Sequence, residues 1–236
     1  MADEANETGS LNNYKMENSS GLLRCAELKF DTLNRMDKDT ITLLFGDKAG
    51  NICADGRERK GKIIIMHERG LRAYRDSSST HSITFENYYV NDNKVNGTKT
   101  VTRMRNATGH IIWKVEVNGS IVLANGGGTI TWTSIRKREL LAGEQNGLIN
   151  WNQAKWAVTG TAIGTTANGS TYSANIDSAL IRDMSCPIGL KRHFTKGVLT
   201  FTPAGKLPRI INYGNGDCDD KATVTIKDKT YNITLR

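Results

Sequence analysis

The feature that most constrains this chain is an alternation of apolar and polar residues, interrupted roughly every ten positions by a turn signal. From Ile111 to Val117, the residues Ile111, Trp113, Val115 and Val117 fall on one face, and Lys114 and Glu116 on the other. That is the pattern of a half-buried β-strand. Asn118-Gly119 follows and leads into Ser120 to Leu123. Asn-Gly suits the two positive-φ positions of a type I′ turn, so a hairpin is expected there. The C-terminus uses the same grammar: Val224 and Ile226, a Lys227-Asp228-Lys229 turn, then Tyr231, Ile233 and Leu235 on one face and Thr230, Asn232 and Thr234 on the wet face.

Further strands are expected at Ile41 to Phe45, Gly61 to Met66, Ile83 to Val90, Thr100 to Met104, Thr129 to Ile135, Lys155 to Thr161, Thr171 to Ile176, Val198 to Phe201 and Arg209 to Tyr213. Turn signals separate them at Glu68-Arg69-Gly70, Asn96-Gly97, Thr108-Gly109, Asn125 to Gly128, Asn168-Gly169 and Ala204-Gly205. Helix formers run together only between Ser134 and Gln145, where Gly143 would end a helix, and we read this stretch as a strand running into a loop. The expected fold is all-β: an antiparallel meander of many short strands, β-sandwich or barrel-like. Twenty-three glycines against three prolines fit tight turns between such strands.

With 236 residues, of which 38% are apolar, the chain can bury one large core or two smaller ones. Residues 1–20 are polar and read as a disordered tether, leaving 21–236 as the all-β domain, with two similar sub-halves at about 21–105 and 106–236. No apolar run is long enough for a membrane-spanning helix. Lysine and arginine exceed the acidic residues by 32 to 24. Basic clusters stand at Arg57, Arg59, Lys60 and Lys62, at Arg136 to Arg138, and at Lys191 to His193. All are short and none alternates with aromatics as a single-strand nucleic-acid platform does. Nucleic acid is therefore not the expected partner, and the clusters read as solvated faces and protected edges.

Two segments repeat one another. Ile41 to Phe45-Gly46 leads to Cys53, and Ile210 to Tyr213-Gly214 leads to Cys218; a strand follows each, at Lys62 to Ile65 and at Thr223 to Ile226. Either one unit is used twice or hairpin grammar has converged. The remaining cysteines, Cys25 and Cys186, precede their partners at similar distances. Four cysteines allow three pairings, and the repeat favours Cys25 with Cys53 and Cys186 with Cys218. Persistent disulfides belong to an oxidising compartment. A Cys₄ zinc site is the weaker reading because no close cysteine pair exists to form its knuckle, and four buried thiols are the third.

The stretch from Cys186-Pro187 through Phe194 to Gly197, Phe201-Thr202-Pro203 and Asn212 to Ile226, ending at Leu235, resembles the C-terminal signature of uncharacterised secreted lipoproteins of Bacteroidetes. Phe45-Gly46, Cys53, Asp55-Gly56-Arg57 and Arg59 to Ile63 resemble their first-half signature, and Ile130 to Thr133 with Val158 to Gly160 fits the middle. The resemblance implies an exported, lipid-anchored protein of the periplasm or outer-membrane surface. It implies no active site.

A search for chemistry leaves little. His67-Glu68 starts like a zincin motif, but Leu71 stands where the second histidine is needed and Gly70 would break the helix. His67, His81, His110 and His193 read as surface or turn residues. Asn215, Asp217, Asp219 and Asp220 resemble the start of a calcium loop, but Ile226 stands at the chelating twelfth position, so a self-bonded turn is the better reading. Trp132, between Thr131 and Thr133, reads as core. Trp151, in Asn150-Trp151-Asn152, lies in a loop and is the one candidate ligand contact. No catalytic residue, cofactor site or metal site is assigned. The expected function is a non-catalytic cell-envelope protein that binds or displays a glycan or an envelope protein, touching membrane only through a lipid anchor. The alternative is a glycoside hydrolase acting on a polysaccharide.

Overall fold

The computed structural model describes residues 25–31, 39–47, 50–53, 55–68, 79–145, 148–187, 189–190 and 193–235. The tether read over residues 1–20 lies outside them, as do Arg69-Gly70 of one expected turn and Lys191 and Arg192 of one basic cluster. In chain order the strands are β1 (Glu27–Asp31), β2 (Asp39–Leu44), β3 (Arg59–His67), β4 (Thr80–Val90), β5 (Asn93–Arg105), β6 (Ile111–Val122), β7 (Thr129–Ala142), β8 (Glu144–Gln145), β9 (Leu148–Ile149), β10 (Lys155–Thr165), β11 (Thr171–Asp183), β12 (Lys196–Pro203), β13 (Arg209–Asn215), β14 (Lys221–Ile226) and β15 (Lys229–Thr234). Thirteen of them form one antiparallel sheet in sequence order, with β8 and β9 pairing separately. The all-β meander is thus the fold. The chain packs as two compact units: residues Met1–Thr102 with Val117–Trp132, and residues Arg103–Glu116 with Thr133–Arg236.

In the first unit, alternation on β2 to β5 builds a ladder of inward side chains. One cross-strand row is Ile41, Ile65, Ile83 and Lys99, and the next is Asp39, His67, His81 and Val101. All eight are buried. Against Gly61, β4 carries one extra residue, and a Cβ on Gly61 would collide with the Asn87 backbone. Asn87 takes a positive φ of 44°, and the bulge turns Tyr88 and Val90 inward, where Tyr88 meets Phe45 with ring centroids 5.4 Å apart.

Asn118-Gly119 and Asn96-Gly97 are not turns: both lie inside continuous strands, β6 and β5. The reason is steric. A Cβ on Gly97 would strike the Asn118 carbonyl, and Gly119 lies under the Trp132 indole, 2.6 Å from where its own Cβ would stand. These glycines admit a backbone and a ring rather than reversing the chain. Trp132 is accordingly only half-buried, resting on the sheet. The hairpin turn belongs instead to Asn91-Asp92, with φ of 47° and 61° between β4 and β5, where Asn93 bonds back to the Val90 carbonyl at 3.1 Å. Strand β1 gave no sequence signal, since only Leu28 among its five residues is partly buried. The stretch from Ser134, read as a strand running into a loop, is strand through Ala142, after which Gly143 breaks it and β8 pairs separately.

Cys25 is bonded to Cys53, Cα to Cα 5.1 Å, and Cys186 to Cys218, 5.5 Å. The two crosslinks hold equivalent places. Cys25 precedes β1 and Cys53 lies between β2 and β3; Cys186 precedes β12 and Cys218 lies between β13 and β14. Each second strand ends in an aromatic and a left-handed glycine, Phe45-Gly46 (φ 75°) and Tyr213-Gly214 (φ 91°). Closing loops with separations of 28 and 32 residues stabilises the fold by about 3.5 kcal/mol each on the chain-entropy account.

Near Cys53 the Arg59 side chain is fully enclosed and donates two hydrogen bonds to the Asp55 carboxylate, both 2.7 Å. Tyr88 is a second partner of the guanidinium. The hydrogen bonds from Arg59 hold the Asp55 carboxyl down to about 2, from an ordinary 3.8. The native pair therefore contributes fully above the ordinary carboxylate value, and its contribution is lost as pH falls from 3.8 through about 2. Asp55→Ala, which leaves an enclosed cation without its acceptor, is expected to cost about 3 kcal/mol in urea titration at neutral pH and to flatten this acid limb. An unchanged midpoint would mean that Tyr88 alone satisfies Arg59.

Candidate functional site

At the C-terminus of the second unit, three neighbouring strands place Asn212, Thr223 and Asn232 in one cross-strand row. In an antiparallel sheet such neighbours stand about 5 Å apart. The next row along β14 and β15 pairs Lys221 with Thr234. Beside it Gly214 has no side chain to fill the corner, and the nearest atom to its missing Cβ is the Thr195 carbonyl at 3.6 Å. Asp217 and Asp219, from the connection that carries Cys218, form the rim. The result is a cleft of about 540 Å³, the size of a small-ligand site.

Local bonds fix this lining. The Asn212 Oδ1 accepts from the Gly214 amide at 2.9 Å, which leaves its Nδ2 donors for the cleft. Asp219 Oδ1 accepts from the Lys221 amide at 3.0 Å, and the Gly216 amide donates to the Thr195 carbonyl at 2.8 Å. Tyr213 packs edge-on against Phe194, centroids 5.3 Å apart, and burial pushes its hydroxyl pKa up. The acidic run is thus a turn bonded to its own backbone. Among the described residues no three His, Cys, Asp or Glu side chains are placed to hold a metal ion.

Trp151 stands in a 3-10 turn, Trp151–Gln153, between β9 and β10. Gly143 (φ 96°) lies so close to Ala154 that no side chain fits, and the Asn150 amide donates to the Gly143 carbonyl at 2.7 Å, closing the lobe. Arg105 clamps its base through two bonds to Glu144, 3.1 and 2.5 Å. One face of the Trp151 ring stacks on Trp156 at 5.8 Å, and the residue stays 41% exposed. Trp156 is buried, edge-on to Trp113 at 5.1 Å, with the Arg138 guanidinium 4.7 Å from its ring centroid. Trp151 therefore rests on a rigid support with a free side. It does not line the cleft.

Two of the histidines depart from the sequence reading. His67 and His81 are buried within strands, His193 is buried at a turn where its amide donates to the Leu190 carbonyl at 3.0 Å, and His110 lies at a turn, 2.9 Å from Glu139. Strand parity turns His67 and His81 inward together, ring centroids 5.2 Å apart, beside Asp39 and Lys99. The cluster is enclosed and reaches no ligand from outside. Burial, followed by the charges of His67 and Lys99, pushes the His81 pKa down to about 3, and burial also lowers His67.

The cleft as a unit escaped the sequence reading, although Asn215, Asp217 and Asp219 stand out in it as the start of a calcium loop and Asn232 and Thr234 as a wet face. Register is what assembles them, and alternation alone does not predict register between strands. No family model, curated protein or solved structure matches the chain.

Two outcomes are expected. Trp156→Ala should cost about 3–5 kcal/mol in thermal or urea unfolding, and Trp151→Ala only about 1 kcal/mol. Equal losses would make Trp151 a core residue. Acidification should also weaken the fold below the ordinary histidine value of 6.5, because the unfolded chain gains a proton at His81 that the native state refuses until about 3. The slope is about 1.4 kcal/mol per pH unit for each such group, and His81→Leu should remove its share of it.

Proposed function

We propose that this is an exported, non-catalytic cell-envelope protein that binds a glycan in the cleft formed by β13, β14 and β15. The observation that carries the reading is the lining. Asn212, Asn232, Thr223, Thr234, Lys221 and the Asp217 and Asp219 carboxylates supply donors and acceptors at fixed strand spacing, and Tyr213, Ala222 and Ile233 also line the cleft. Sugars need such groups, because a ring of hydroxyls is held by several oriented hydrogen bonds and by an apolar or aromatic surface. Two disulfides belong to an oxidising environment, extracellular or periplasmic, which supports export. The resemblance to secreted lipoproteins supports an anchor at the periplasmic or outer-membrane surface.

Glycoside hydrolysis is the second reading, favoured by one feature: two carboxylates, Asp217 and Asp219, share the cleft. A polysaccharide and glycan array separates the two. Retention of a glycan without release of reducing ends, lost in Asn212→Ala/Asn232→Ala at unchanged melting temperature, is the expected result. Hydrolysis that disappears in Asp217→Asn would establish the enzyme instead. An empty array, or retention that survives the double substitution, would overturn the cleft as the glycan site.

A further inference from the structure

We infer that the hairpin-turn end of the C-terminal sheet docks on an anionic lipid surface. Strands β10 to β15 alternate in direction, so residues 166–170, 204–208 and 227–228 all lie at one end. Topology gathers there four cations that form no cluster in the sequence: Lys206, Arg209, Lys227 and Lys229. Arg209 and Lys229 share the row Phe201, Arg209, Ile226, Lys229, two strand spacings apart, or roughly 10 Å. Lys206, Lys227 and Lys229 are exposed. One carboxylate, Asp228, accompanies them.

Several cations of the chain are held by carboxylates: Lys60 is paired with Asp92, Lys62 with Glu86 and Lys155 with Asp183. The four at the turn end, like Lys137, Lys196 and Lys221, have no carboxylate partner among the described residues. Apolar side chains stand exposed among them: Leu207 at the tip of its turn, 53% exposed, Ile210, 42%, and Tyr231, 51%. Unpaired cations beside exposed leucine, isoleucine and tyrosine make the composition of an interfacial anchor, cations toward phosphates and apolar groups toward the acyl boundary.

Lipid is favoured over an acidic polypeptide because of where the groups sit. They cap the strand ends, with Leu207 in a turn, whereas the cleft that could seat a chain lies at the opposite end, by Cys218. A turn tip fits a planar, deformable partner. Of the acids in this part of the sheet, Asp183, Asp217, Asp219 and Asp220 lie at the cleft end and Asp177 lies mid-strand in β11, which leaves Asp228 at the turn end. Docking would therefore hold the cleft away from the bilayer, whatever the cleft binds.

The test is co-sedimentation of the full chain with phosphatidylcholine vesicles prepared with and without phosphatidylglycerol. Binding only to the anionic vesicles, abolished by high salt, is expected. Each cation at an anionic leaflet contributes roughly fivefold in partitioning, so Lys206→Glu/Lys227→Glu should reduce binding by about twenty-five-fold or more. Both sites are exposed turn residues, and an unchanged melting temperature verifies the fold. A charge-matched control, Lys137→Glu/Lys196→Glu, alters the same net charge elsewhere in the unit and should bind nearly as the parent does. Equal loss in the control reduces the effect to net charge and overturns the site. So does binding to neutral vesicles alone, no binding to either, or binding to polyglutamate without binding to vesicles.

Discussion

A β-sheet must pair its backbone along every strand and keep at least one face from water, and the two units meet the second requirement to different degrees. In the first, Ile41, Ile65 and Ile83 in one row are no more than 3% exposed. In the second, the comparable row Ile176, Leu199, Ile211, Val224 and Tyr231 contains no buried residue. The hydrophobic contribution of this row of strands is correspondingly smaller, since that term follows the area removed from water, and the buried core of the unit lies instead around Trp113, Leu140, Trp156 and Leu180. The Cys186–Cys218 crosslink therefore matters more there. A contribution of about 3.5 kcal/mol is a large share of the 5–15 kcal/mol that typically separates folded from unfolded chains.

Glycines do the other part of this work, and they do it by absence. Gly160 and Gly197 both have positive φ, and a Cβ on either would strike the neighbouring strand, at Ile135 and at Ala179. Both lie at or beside register shifts, between Val158 and Thr161 and between Lys196 and Val198. Such bulges let long strands coil without losing the alternation that separates their faces. They also explain why β10 and β11 extend beyond the strands read from alternation. A bulge resets the parity, and a reading that counts by twos stops where the parity breaks.

What was legible in the sequence was whatever depends on neighbours along the chain. The strand at Ile111, the Asn125 to Gly128 turn, the Asn168-Gly169 turn and the hairpin at Lys227-Asp228 are all local, and each stands where it was read. The misreadings depend on neighbours across the sheet. Asn118-Gly119 carries a turn signal, but its glycine answers to Trp132. Arg59 sits in a basic cluster, yet it is the most enclosed charge in its unit because Asp55 and Tyr88 surround it. Lys60 and Lys62 from that same cluster are ion-paired across strands. Charge density along the chain was a poor guide to charge density in space, and the cleft row Asn212, Thr223, Asn232 was invisible for the same reason.

The two crosslinked loops show how one arrangement yields a closed end and an open one. Both follow an aromatic and a left-handed glycine. In the first, Phe45 is buried against Tyr88, and Asn51 donates to the carbonyls of both Cys25 and Phe45, at 2.9 and 2.7 Å. Arg59 then closes the loop from within by holding Asp55. In the second, Lys221 is the first residue of the strand that follows, as Arg59 is in the first, but it is exposed, and the acids Asp217 and Asp219 stand at a rim rather than in a buried pair. Tyr213 is only half-buried, and Gly214 leaves its corner empty. A long cation enclosed at this position fills the space in one loop; left on the surface in the other, it leaves a cleft. The candidate site thus follows from a loop fixed by the same crosslink but lacking the internal ion pair that would close it.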